Sequence, residues 1–136
     1  MAKARILIIE DNRDNRELVR FLLEQAKYEV LQAVTGSEGW QIAQQEHPDL
    51  ILLDLTIPEI DGWQLAEMLK NDPKLADIPV VALTAHTLPV DRKRAMDAGC
   101  VGYLTKPLDI PNFIPQIQAY LAGKHMAATD KSGIRE

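Results

Sequence analysis

Leu50-Ile51-Leu52-Leu53-Asp54 is a continuous apolar run that ends on a carboxylate, and the reading of this stretch decides the fold. A strand with one face in water alternates apolar and polar residues, whereas a strand covered on both faces is apolar throughout. Ile6-Leu7-Ile8-Ile9, Val80-Val81-Ala82-Leu83 and Val101-Gly102-Tyr103-Leu104 repeat the continuous pattern. A fifth run, Tyr28 to Val34, alternates more and fits an edge. Between the runs lie segments of helical length with apolar residues three and four apart: Leu18, Val19, Leu22, Leu23 and Ala26 in the first, and Ile110, Phe113, Ile114, Ile117 and Leu121 in the last. Five strand-then-helix units predict a doubly wound parallel sheet in a three-layer α/β/α fold, because right-handed crossovers put helices on both faces.

Punctuation supports the boundaries. Asn12 is placed to cap the first helix and Ser37, after Gly36, the second; Asp61-Gly62 precedes the third, and Gly99 can end the fourth. Pro48, Pro79 and Pro107 fall beside strands. The segment Leu88 to Ala98 carries Asp91, Arg92, Lys93, Arg94 and Asp97 against an apolar stripe of only Val90, Ala95 and Met96, so it is expected to be the least firmly docked helix. Residues 123–136 are polar and lack helical periodicity, as in a mobile tail or the start of a linker.

With 136 residues the chain has room for one well-buried core and no second sizeable domain, and 46% apolar against 26% charged residues is globular composition. A net charge of -5 without a dense Lys/Arg stripe argues against direct binding of nucleic acid or an anionic membrane. Cys100 stands alone in an apolar stretch, which excludes an internal disulfide, fits a reducing compartment and reads as a small core residue. Met1-Ala2-Lys3-Ala4-Arg5 leads into an apolar run too short for a signal peptide or a spanning helix, so a cytoplasmic location is expected.

The strand ends are unusual. In an open parallel sheet ligands bind at the carboxyl ends of the strands, and here those ends read Glu10-Asp11, Asp54, Thr84 and Thr105-Lys106-Pro107. One Asp after a strand is ordinarily a turn former or a cap. Three carboxylates converging on one rim are different, because they repel one another unless a cation neutralises them. A hard divalent ion, Mg²⁺ or else Mn²⁺, answers that with oxygen ligands and retained waters. An Asp beside such an ion can act as a nucleophile and form an aspartyl phosphate, with Lys106 and the Thr84 hydroxyl neutralising or hydrogen-bonding the phosphoryl oxygens. In the resting state Lys106 would pair with Asp54.

These residues resemble the receiver domain of two-component response regulators, over Arg5 to Leu121. The resemblance rests on Ile8-Ile9-Glu10-Asp11-Asn12, on Leu52-Leu53-Asp54 followed by Ile57-Pro58-Glu59-Ile60-Asp61-Gly62, on Leu83-Thr84-Ala85, and on Gly99-Cys100-Val101-Gly102-Tyr103-Leu104-Thr105-Lys106-Pro107. It implies a receiver over residues 4–122, of the chemotaxis-regulator type and in a single-domain regulator, with a flavodoxin-like five-stranded sheet in the order 2-1-3-4-5. It implies Asp54 as phosphoacceptor, Asp11 and Asp54 as direct Mg²⁺ ligands, Glu10 acting through water, and the backbone carbonyl of Thr56 as a further ligand. Thr84 and Tyr103 would form the switch, Thr84 moving toward the phosphoryl group and Tyr103 turning inward. Lys106-Pro107 matches the family's usual cis peptide, and Ala85 is small, as phosphoryl access requires. Thr56 and His86 stand where members of the family tune dephosphorylation. Glu10 replaces the commoner Asp and Ile57 the commoner Met, both frequent variants. Trp40 and Trp63 read as helix packing or exposed surface, with Trp63 close enough to the site to report Mg²⁺ by fluorescence.

The implied function is a phosphorylation-activated switch that is not an enzyme beyond its own phosphorylation and dephosphorylation. Its implied partners are a histidine kinase or His-containing phosphotransfer protein upstream and a target protein downstream, with the chain a monomer or weak dimer. The surface expected to respond is that of the fourth helix, fifth strand and fifth helix. Two alternatives stay open: a receiver cut from a hybrid kinase or longer regulator, and a receiver-like module that is never phosphorylated. An Asp-nucleophile phosphatase would carry a second Asp where Thr56 stands, and a nucleotide-binding domain would need glycines where Glu10-Asp11-Asn12-Arg13 stands.

Overall fold

Residues 3–55, 61–85 and 89–123 are described by the structure, a computed structural model. Strands and helices alternate along them as β1 (Arg5–Ile9), α1 (Arg13–Gln25), β2 (Glu29–Ala33), α2 (Gly36–Glu46), β3 (Leu50–Asp54), α3 (Gly62–Asn71), β4 (Val80–Thr84), α4 (Pro89–Asp97), β5 (Gly102–Thr105) and α5 (Ile110–Leu121). The strands pair in parallel in the order β2-β1-β3-β4-β5, which is the expected order with Tyr28–Val34 supplying an edge strand.

The continuous apolar runs have a direct cause. Successive side chains of a strand point to opposite faces, and here both faces are covered. Leu7, Ile9, Ile51 and Leu53 pack with Ala43, Leu65, Leu69 and Ala95 from α2, α3 and α4. Ile6, Ile8, Leu50 and Leu52 pack with Val19, Leu23, Phe113 and Ile117 from α1 and α5. Trp40 and Trp63 are partly buried against the first cluster, as helix packing predicts. Among the described residues no helix is long and apolar enough to cross a membrane.

Some local expectations need correction. Thr35, and not Ser37, caps α2: its side chain accepts from the Glu38 amide at 3.1 Å, and Glu38 Oε1 accepts from the Val34 amide at 2.7 Å. A Thr with Glu three residues on is a capping-box spacing, and it places the helix start two residues earlier than Ser37 would. Leu18 is 37% exposed and so leaves the predicted apolar stripe of α1. Val90 is 67% exposed, so the stripe of α4 reduces to Ala95, fully buried, with Met96 half-buried. Asn12 caps α1 and Asp61 caps α3 as expected, accepting from the Asn15 and Trp63 amides. Gly99 follows α4 with a φ of 107°, in the left-handed region that glycine adopts without a Cβ penalty.

Candidate functional site

The chain runs from β1 outward to β2 and then returns to the other side of β1 as β3, so the order reverses between β1 and β3. Crevices form at such reversals, outside the carboxyl ends of the strands. The register pairs Ile9 with Leu53, which places Glu10 and Asp54, the next residues along, side by side at that crevice. Both are buried, Glu10 at 0% and Asp54 at 1% exposure, while Asp11 is exposed at the rim. Each of the three offers a carboxylate oxygen within 4.8 Å of the others.

Lys106 enters from the far side, just past β5. Its amide donates to the Thr84 carbonyl at 2.9 Å, which fixes the start of the Lys106 side chain at the end of β4. Its Nζ donates to Asp54 Oδ2 at 3.0 Å and lies 2.9 Å from Glu10 Oε1. The second contact is an ion pair by distance without the alignment of a hydrogen bond, so among the described residues Glu10 Oε1 is buried with Lys106 as an ion-pair partner and no hydrogen bond. The other oxygen, Glu10 Oε2, accepts from the Asn12 amide at 3.1 Å. Thr84 closes β4 in register with Thr105 and is 1% exposed.

Electrostatics follow from this packing. Burial, reinforced by the neighbouring Asp54 carboxylate, pushes Glu10 up to about 7 against the opposing pull of Lys106 and the Asn12 amide. Burial acts against the Lys106 ammonium, yet Glu10 and Asp54 together outweigh it and hold Lys106 above its ordinary value. Three carboxylates against one ammonium leave the rim negative. Three carboxylates that bring oxygens within 4.8 Å of one another, with Asp11 open to solvent, are a donor set suited to a small hard cation. Glu10, Asp11 and Asp54 therefore fit a divalent ion.

Asp11, Asp54, Thr84 and Lys106, far apart in the chain, thus meet at one rim with Glu10, as the sequence predicts. Tyr103 lies in β5 with its ring buried, and its hydroxyl has no hydrogen-bond partner among the described residues. Lys106-Pro107 is cis. The Thr56 carbonyl, the Ile57–Ile60 part of the motif and His86 lie outside the described residues. Two features escaped the sequence reading. Arg16 of α1 donates to the Glu10 carbonyl at 3.0 Å and the Asp11 carbonyl at 3.4 Å, tying down the loop that carries both acids. Arg94 of α4 stacks over the Trp63 ring at 4.3 Å. Position on the first turn of α1, four residues after the cap, hints at the former; nothing local signals the latter.

Known proteins share this fold. Residues 6–118 match the response regulator receiver domain family. The polar-differentiation response regulator DivK of Brucella ovis is 40% identical over 116 residues, spanning 85% of this chain and 94% of that protein. The chemotaxis response regulator CheY4 of Vibrio cholerae superposes with a TM-score of 0.82 at 26% identity, covering 86% of this chain and 98% of its own. The receiver domain of a Pseudomonas aeruginosa sensor histidine kinase, whose structure has a magnesium ion coordinated in the active-site cleft, gives a TM-score of 0.82 at 28% identity over 89% and 99% of the two chains. Sheet order, the rim of acids and the matched span agree, and this chain belongs to the response regulator receiver domain family of two-component signalling.

Proposed function

We propose that the chain is a phosphorylation-operated switch in which Asp54 accepts a phosphoryl group from a phosphohistidine on a histidine kinase or His-containing phosphotransfer protein. The observation that carries this reading is the meeting of Asp11, Asp54 and Glu10 within 4.8 Å, with Lys106 bonded to Asp54 from the opposite side. Glu10, Asp11 and Asp54, with the Thr56 carbonyl, would hold Mg²⁺ or Mn²⁺. When bound, the ion supplies positive charge against the phosphoryl oxygens.

The chain's own groups do the rest. An Asp54 oxygen forms the new O–P bond as the P–N bond to the donor imidazole breaks; the imidazole keeps the electron pair and takes a proton. Lys106, already seated on Asp54, is poised to follow the charge onto the phosphoryl group, and the Thr84 hydroxyl to donate to it. Arg16 holds the Glu10-Asp11 loop in place during transfer. The added ~1.5–2 negative charges then bias Thr84 and Tyr103, and with them the surface of α4, β5 and α5, where Arg92, Tyr103, Leu108 and Asp109 line a cleft of ≈ 190 Å³. Output passes to a target protein through that surface; activity is confined to the chain's own phosphorylation and dephosphorylation, and its place is the cytoplasm. The receiver spans residues 4–122, with 123–136 as a polar tail.

A second reading has a specific support. A receiver domain of a histidine kinase from Syntrophus aciditrophicus is 32% identical with a TM-score of 0.81, so the same switch also suits a receiver carried within a longer chain. Both readings use the same Asp54 chemistry. Acetyl phosphate with Mg²⁺ tests it: intact mass spectrometry should find one phosphoryl group on the wild type and none on Asp54→Asn, whereas an unmodified wild type would leave a passive interaction module.

A further inference from the structure

Among the residues of α4 whose side chains are described, 90–97, only Ala95 is completely buried, and Val90 is 67% exposed. Helices this short are marginal without tertiary packing, so hydrophobic burial alone does not explain why α4 is docked. Two guanidinium groups supply the missing contacts. Arg92 lies 5.5 Å from the Tyr103 ring centre on β5, and Arg94 lies 4.3 Å from the Trp63 ring centre on α3. Both are within the range of cation–π attraction, and Trp is its strongest partner. Arg94 also places Nη2 3.8 Å from Asp61 Oδ2, while Asp61 Oδ1 accepts from the Trp63 amide at 3.1 Å as the cap of α3.

The cap is seated directly on the phosphoacceptor strand. A Cβ on Gly62 would stand 2.5 Å from Leu55 Cα, so the first residue of α3 is in backbone contact with the residue after Asp54. Backbone packed this tightly does not shift without moving its neighbour. One path therefore runs from Asp54 through Leu55 and Gly62 to Asp61 and Trp63, and across to Arg94. An exposed Arg–Asp pair by itself contributes little, so the stack on Trp63 makes the contact specific.

We infer that Arg94 is a positioning residue that latches α4 to the cap of α3, and that this latch couples the state of the Asp54 rim to the order of α4. The coupling half rests on the switch reading above; the latch half does not. Because linkage is reciprocal, a latch that responds to loading of the rim must also alter the affinity of the rim for its ligand.

Amide hydrogen exchange on the full chain tests both halves, using Arg94→Gln, Arg94→Lys, Trp63→Leu and the Arg94→Gln/Trp63→Leu pair, each with and without Mg²⁺ and beryllofluoride. Without ligand, residues 90–97 should exchange at least fivefold faster in Arg94→Gln than in the wild type, with β1 and β3 unchanged. Arg94→Lys should recover part of the protection, and the double variant should be no faster than the worse single one. Unchanged exchange in Arg94→Gln, or additive effects in the double variant, would overturn the latch. With ligand, the change in residues 90–97 of the wild type should be lost in Arg94→Gln, and beryllofluoride affinity should move with it. A full response in Arg94→Gln would overturn the coupling. Failure of the wild type to bind beryllofluoride would overturn both the coupling and the phosphoacceptor reading, while the ligand-free exchange still decides the latch.

Discussion

Lys106 brings its charge to a rim where Glu10 and Asp54 are essentially without solvent, and its side chain keeps 20% of its exposure. Removing one member of a buried charge pair costs ~3–5 kcal/mol because the others are left uncompensated, and partial exposure puts Lys106 toward the lower end. Lys106→Met should therefore lower unfolding free energy by ~3 kcal/mol in chemical denaturation without metal, and should abolish or strongly slow phosphorylation by acetyl phosphate. Asp54→Asn should do the opposite to stability, since it removes one of three mutually repelling carboxylates. Cys100 behaves as the small core residue its surroundings predict. Burial pushes its thiol up to about 12 from an ordinary 9.0. The folded thiol stays neutral where the unfolded one ionises, so this group's contribution to stability falls as pH rises above about 9. Iodoacetamide at pH 8.5 should accordingly label Cys100 only at the rate of unfolding; rapid labelling of the native chain would mean that the thiol is accessible.

At the scale of elements, two glycines separate a rigid contact from a soft one. A Cβ at Gly62 meets the Leu55 backbone at 2.5 Å, whereas one at Gly39 meets the Ile9 Cδ1 methyl at the same distance. Ile9, also met at Cγ1 at 2.8 Å, is β-branched and fully buried, so it yields only by a rotamer change within the core, whereas backbone cannot yield even that way. Gly62→Ala should cost ~1–3 kcal/mol by the measure of overpacked cores and Gly39→Ala less than Gly62→Ala, as thermal unfolding of the two variants would reveal. Which elements were legible in the sequence follows the same logic of local against distant causes. β1, β3 and β4 are readable because burial on both faces writes an unbroken apolar run, and β2 because an edge relaxes it. The start of α2 was misjudged because Ser37 and Thr35 are both good caps, and only the reach back from Glu38 distinguishes them. Spacing alone puts Val90 in the buried stripe of α4, but that helix instead sets Arg92 and Arg94 on aromatic rings from other elements. No window along the sequence contains that information.

For the whole molecule, sheet order converts chain positions 10, 11, 54 and 106 into one rim, which is why the acids and the ammonium were legible as a set. Arg16 was not, because its partners are main-chain carbonyls that any sequence supplies. A ligand that binds only the folded chain stabilises it by mass action, ~2.7 kcal/mol at a hundredfold excess over Kd. Mg²⁺ at that excess should raise the melting temperature by several degrees, EDTA should reverse the gain, and Asp11→Asn should abolish it. On the switch reading Asp54, among all the carboxylates of an acidic chain, receives the phosphoryl group. Borohydride reduction of the acetyl phosphate-treated protein converts an acyl phosphate to the corresponding alcohol, and peptide mass spectrometry locates it. Homoserine should form at position 54 alone; reduction at position 11 or at any other carboxylate, with position 54 intact, would mean that another residue accepts the phosphoryl group.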